Sequence, residues 1–105
     1  MTGGLSQKEL LILSAVFEKY KVDGEVILYG SRAKGTYTER SDVDLVIKNS
    51  SVRDDQLLAT LQDEIEESDF PYLVDLQFYE KIQNPALLDH INRRGIVVYR
   101  REKNP

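Results

Sequence analysis

The chain has 105 residues, 41% of them apolar and 30% charged, a size and balance suited to one soluble globular domain over residues 1–105. Eighteen acidic residues against 14 basic ones leave a formal charge of −4, and no Lys/Arg tract is long enough to neutralise a nucleic-acid backbone, so nucleic acid is not expected as the main partner. The absence of cysteine excludes disulfide frameworks, thiolate metal sites and cysteine nucleophiles, so any chemistry must use oxygen and nitrogen groups. No apolar run reaches membrane-spanning length and Met1 to Leu10 carries no signal pattern, so a cytoplasmic protein without a membrane partner is expected.

In chain order, Ser6-Gln7-Lys8-Glu9 fits a capping box, and Leu10, Leu13, Phe17 and Tyr20 follow at helical spacing, which predicts a helix from Ser6 to Lys21. The continuous apolar run from Glu25 to Tyr29, closed by Gly30, predicts a central strand buried on both faces. Ser31 to Gly35 reads as a short helix or turn leading into a polar loop. From Asp42 to Ile47 the pattern alternates: Val43, Leu45 and Ile47 share one face, Asp42 and Asp44 the other. Ser51 is the expected cap of a helix running to Ser68, with Leu57, Leu58, Leu61 and Ile65 inward and its acidic residues solvated.

After Pro71, the segment Tyr72 to Tyr79 alternates as a third strand with Val74, Leu76 and Phe78 inward and Asp75 opposite. Asn84-Pro85 starts a last helix, Gly95 stops it, and Ile96 to Tyr99 forms a final short strand before a basic tail. The fold class is α/β of the α+β type: a mixed sheet of about four strands with helices packed on one face, the other face left free for a ligand.

Three aspartates fall on the polar side of strands. Asp42 and Asp44, two residues apart, have Cα atoms about 6.6 Å apart and point the same way, so they can bracket hard cations. Two magnesium ions roughly 4 Å apart can activate an attacking hydroxyl and stabilise a leaving pyrophosphate. Asp75 completes the set as a third metal ligand and catalytic carboxylate. Gly30-Ser31 lies between a strand and a helix, where glycine permits an unusual backbone and free N–H groups can hold phosphate. Arg32 and Lys34 flank that turn, Arg32 being the stronger candidate for the nucleotide. His90 is the only histidine and, without a second histidine or cysteine, is expected to be a surface or partly packed side chain.

Gly30-Ser31-Arg32-Ala33-Lys34-Gly35, ten residues between Ser31 and Asp42, and then Asp42-Val43-Asp44-Leu45 resemble the G-S-x10-D-x-D signature of the minimal nucleotidyltransferases of the DNA polymerase beta-like superfamily. Val74-Asp75-Leu76 resembles the strand that carries that family's third carboxylate, and the likeness extends over nearly the whole chain. The resemblance implies a nucleotidyltransferase fold and transfer of a nucleoside monophosphate, AMP from ATP, with magnesium. It implies Asp42, Asp44 and Asp75 as catalytic and metal-binding residues, and Gly30, Ser31 and Arg32 at the nucleotide. The family's small members act as antitoxins of helical HEPN proteins, so such a partner is expected, and self-association is left open. Two alternatives stand beside this reading: a non-catalytic nucleotide-binding module that neutralises a helical partner, and transfer to a small molecule of the antibiotic type.

Overall fold

Ser6 caps the first helix, α1 (Gln7–Lys19), with both bonds of a capping box: the Ser6 N–H donates to Glu9 Oε1 at 2.8 Å, and the Glu9 N–H to Ser6 Oγ at 3.1 Å. In this computed structural model, which describes residues 2–103, the chain continues through β1 (Gly24–Tyr29), α2 (Ser31–Lys34), β2 (Val43–Lys48) and α3 (Asp55–Glu67). It ends with β3 (Val74–Phe78), a 3-10 turn (Tyr79–Lys81), α4 (Pro85–Arg94) and β4 (Ile96–Arg101). The third helix starts later than expected. Asp23 captures Ser51, whose N–H donates to Oδ1 at 2.7 Å and whose hydroxyl donates to Oδ2 at 2.5 Å. Asp54 caps α3 instead, accepting the Leu57 N–H at 2.7 Å. The last helix begins as its Asn-Pro pair dictates, with Asn84 Oδ1 accepting the N–H groups of Ala86 and Leu87.

The strands form one mixed sheet in the order β3-β2-β1-β4, with β1 antiparallel to β2 and β4, and β2 parallel to β3. Alternation sends Val26 and Leu28 of β1, Val43, Leu45 and Ile47 of β2, and Val74, Leu76 and Phe78 of β3 into one large core with Leu13, Val16 and Phe17 of α1 and Leu61 and Ile65 of α3. Each such side chain contributes roughly 1.5–3 kcal/mol by leaving water, so this face holds the molecule together. The opposite face is not wholly free. Ile91 of α4 packs there against Ile27, Tyr29 and Val46, so α4, unlike α1 and α3, lies on the polar side of the sheet. This second layer explains why β1 is apolar at every position from Val26 to Tyr29: it is buried from both sides. The rest of that face, across β2 and β3, is where Asp44, Asp75 and Gln77 stand.

The basic tail is also partly committed. Arg100 pairs with Glu25 at 2.5 Å and Arg101 with Glu18 at 3.2 Å, both within or beside the sheet edge. No helix among the described residues is long and apolar enough to cross a membrane.

Candidate active site

Register builds the site. Tyr29 is the lateral partner of Asp44 across the antiparallel β1–β2 pair, and Asp44 is the partner of Asp75 across the parallel β2–β3 pair. Tyr29, Asp44 and Asp75 therefore form one row across three strands, on the face opposite the large core. One pleat further along β3, Gln77 donates from Nε2 to the Tyr29 hydroxyl at 3.0 Å and fixes the phenol in place. The row opens into a cavity of about 540 Å³. Its floor is Tyr29, Asp44, Asp75 and Gln77; Gly30 and Lys34 bound one side, and Asn84, Leu87 and His90 of the α4 region the other. A second cleft, of about 430 Å³ between α1 and α3, gathers no comparable set, and its Lys19 and Glu64 already pair with each other at 2.8 Å.

The turn after β1 explains its own sequence. Gly30 has φ +76° and ψ −154°, a backbone region that side-chain-bearing residues avoid. A Cβ on Gly30 would also run into the Asp44 carboxylate. Glycine is required twice over, and its bareness lets the backbone approach Asp44. Ser31 opens α2, and none of the described hydrogen bonds uses its hydroxyl, which leaves that group free for a ligand. The Gly30 N–H, by contrast, is occupied: it donates to His90 Nε2 at 2.8 Å.

The electrostatics follow from the crowding. Burial, together with the charges of Asp75 and Asp42, pushes the Asp44 carboxyl above its ordinary range. Burial, with Asp75 and Asp44 adding to it, pushes the Tyr29 phenol up to about 12, against which the Gln77 bond works only partly. Burial and the cations Lys34 and Arg94 hold His90 below its ordinary range, which keeps the ring neutral and its Nε2 lone pair available to the Gly30 N–H.

Of the residues expected at the site, the structure brings Gly30, Asp44 and Asp75 to the cavity. Asp42 lies just before β2, exposed, and close enough for its charge to raise Asp44. Arg32 is not among the residues that line the cavity. It is only 2% exposed, and its guanidinium is taken up by backbone carbonyls. Its Nε and Nη2 donate to the Ser41 carbonyl at 3.2 and 3.0 Å and its Nη1 to the Gly3 carbonyl at 2.9 Å, while Tyr37 and Tyr72 cover it at 5.2 and 4.2 Å. Arg32 thus ties three loop segments together, and Lys34 is the cation that borders the cavity. His90, expected to be a surface or partly packed side chain, is half-buried and accepts the Gly30 N–H, and with Tyr29 and Gln77 it joins the site for reasons of strand register and helix docking that residue spacing does not carry. The one available signal was Tyr29, which ends β1 next to Gly30.

A hard divalent cation suits this donor set. The groups are carboxylate oxygens only, and a cation would offset both the burial and the repulsion from Asp75 and Asp42 that raise Asp44. Among the described residues no three such side chains are drawn into a complete cage. Magnesium accepts that arrangement, since it binds through one or two carboxylates and takes its other ligands from water and substrate phosphates.

The probable protein adenylyltransferase MntA of Haemophilus influenzae is 33% identical to this chain over 72 residues, 69% of this chain and 63% of that protein. The chain therefore spans less than two-thirds of that relative's length. Two solved structures share the fold. A crystal structure of a toxin-antitoxin with AMP-PNP superposes with a TM-score of 0.69 at 18% identity, covering 92% of this chain and 75% of that one. A mutant of the toxin-antitoxin MntA-HpeT superposes with a TM-score of 0.66 at 14% identity over the same shares. The family model described as Polymerase beta, Nucleotidyltransferase matches residues 12–104, a span that holds all four strands, the Gly30 turn and the three aspartates, and the chain belongs to that family.

Proposed function

We propose that this protein is a magnesium-dependent adenylyltransferase that moves AMP from ATP to a hydroxyl of a partner protein, and that it is the antitoxin of a helical HEPN toxin. The observation that carries the reading is the lateral pairing of Asp44 and Asp75 beside a glycine turn that only glycine can form. The relative named as an adenylyltransferase and the toxin-antitoxin structures that share the fold support the substrate and the setting.

In this reaction the acceptor oxygen attacks the α-phosphorus of ATP, a new P–O bond forms, and the bond to the bridging oxygen breaks to release pyrophosphate. Asp44 and Asp75, with Asp42 at the edge, would hold magnesium, which would supply charge neutralisation for the phosphates. Asp75, the more exposed of the lateral pair, takes the proton of the attacking hydroxyl. The Ser31 hydroxyl and the Lys34 ammonium bind the terminal phosphates, which requires no help from Arg32. Incubation with ATP, magnesium and the co-expressed partner tests this: the partner should gain the mass of AMP, and gain nothing when Asp75 is replaced by Asn.

A further inference from the structure

We propose that His90 is a positioning residue for nucleotide binding: by accepting the Gly30 N–H it holds the turn that brings the Gly30 backbone against the Asp44 carboxylate. The proposal rests on the nucleotide-transfer reading of this site.

Gly30 lies one residue beyond the sheet ladder, since the last β1–β2 pair is Tyr29 with Asp44 and the last β1–β4 pair is Leu28 with Ile96. Its N–H therefore has no strand partner, and His90, sixty residues later on α4, provides the acceptor at 2.8 Å. Gly30 has no side chain to restrain it, and its φ of +76° belongs to a region that glycine leaves as readily as it enters. The imidazole is thus the side-chain bond that fixes this peptide relative to Asp44. Helix α4 does not need His90 to dock. Ile91 anchors it against Ile27, Tyr29 and Val46, and Asn84 caps it. The ring also meets Tyr29 edge-on, 6.2 Å between centroids at 68°, which keeps Nε2 aimed at the turn. An acceptor on a helix that Ile91 and Asn84 already place, bonded to the glycine peptide beside Asp44, acts on the ligand through that peptide.

The experiment compares the full-length wild type with His90→Ala and His90→Gln, whose Oε1 can accept the same N–H. Calorimetry reads ATP binding in magnesium, magnesium alone is titrated in parallel, and amide NMR reads the Gly30 proton without ligand. The expected result is an upfield shift of the Gly30 amide in His90→Ala, ATP affinity lower by roughly five-fold, unchanged magnesium affinity, and recovery of both signals in His90→Gln. Equal ATP affinity in wild type and His90→Ala, or equal losses in the Ala and Gln variants, overturns the role of His90 alone. Wild-type protein that binds no ATP removes the nucleotide reading and, with it, this proposal.

Discussion

Asp44 and Asp75 face each other as direct partners in the parallel β2–β3 pair, on the same side of the sheet. Two carboxylates in that relation repel, and Asp44 records it: burial, Asp75 and Asp42 together raise its carboxyl. A fold keeps such a pair at a cost to its metal-free stability, and that cost can be measured. Replacing Asp42 and Asp44 together with Asn should raise the melting temperature without magnesium by a few degrees and abolish the further rise that magnesium gives the wild type. Thermal melts with and without the ion check this, and an unchanged magnesium response would remove both residues from the ligand set.

Gly30→Ala combines a strained positive φ with a Cβ that meets Asp44. The expected loss of stability is about 1–3 kcal/mol, read by urea unfolding, together with loss of ATP binding in the folded fraction. A variant with wild-type stability would mean that the turn can relax away from Asp44.

Arg32→Ala removes three donors from the Ser41 and Gly3 carbonyls and a cation from between Tyr37 and Tyr72. Stability should fall by about 2–4 kcal/mol, and Arg32→Lys should recover little, because an ammonium cannot reproduce the guanidinium fork. ATP affinity of the folded protein should stay near that of the wild type; a selective loss of affinity at full stability would return Arg32 to the nucleotide.

Acid stability should depend on Asp23. Burial opposes its ionisation, yet hydrogen bonds from Ser51 and Ser50 outweigh that and hold the carboxyl below its ordinary 3.8. A carboxyl lowered by folding stabilises above its unfolded pKa and loses that contribution as pH falls through the folded one. Between about pH 5 and pH 2, Asp23→Asn should therefore show a flatter fall in melting temperature than the wild type. Parallel curves over that range would contradict the assignment.

Much of the fold was legible because it depends on local rules. The capping box at Ser6, the Asn84-Pro85 start and the continuous apolar run of β1 each report their own conformation. Alternation also placed Asp44 and Asp75 on the polar face. What periodicity cannot report is which residue lies opposite which, since register arises from pairing between distant segments. Hence Tyr29 beside Asp44, and His90 beneath Gly30, were not legible, and Ser51 was misassigned because its competitor, Asp23, lies 28 residues upstream. The enclosure of Arg32 was hidden for a related reason: its partners, the Ser41 and Gly3 carbonyls and the rings of Tyr37 and Tyr72, come from separate loops.

The central claim is that the Asp44–Asp75 pair transfers AMP to a partner, and intact-mass analysis of that partner tests it most directly. Wild type and Asp75→Asn are each co-expressed with the helical protein and supplied with ATP and magnesium. The expected result is an AMP adduct on the partner with the wild type, none with Asp75→Asn, and an intact complex in both cases, since Asp75 is an exposed residue of the cavity floor and not part of the core. A partner neutralised equally by both proteins, with no added mass in either, would contradict catalysis and leave a binding module.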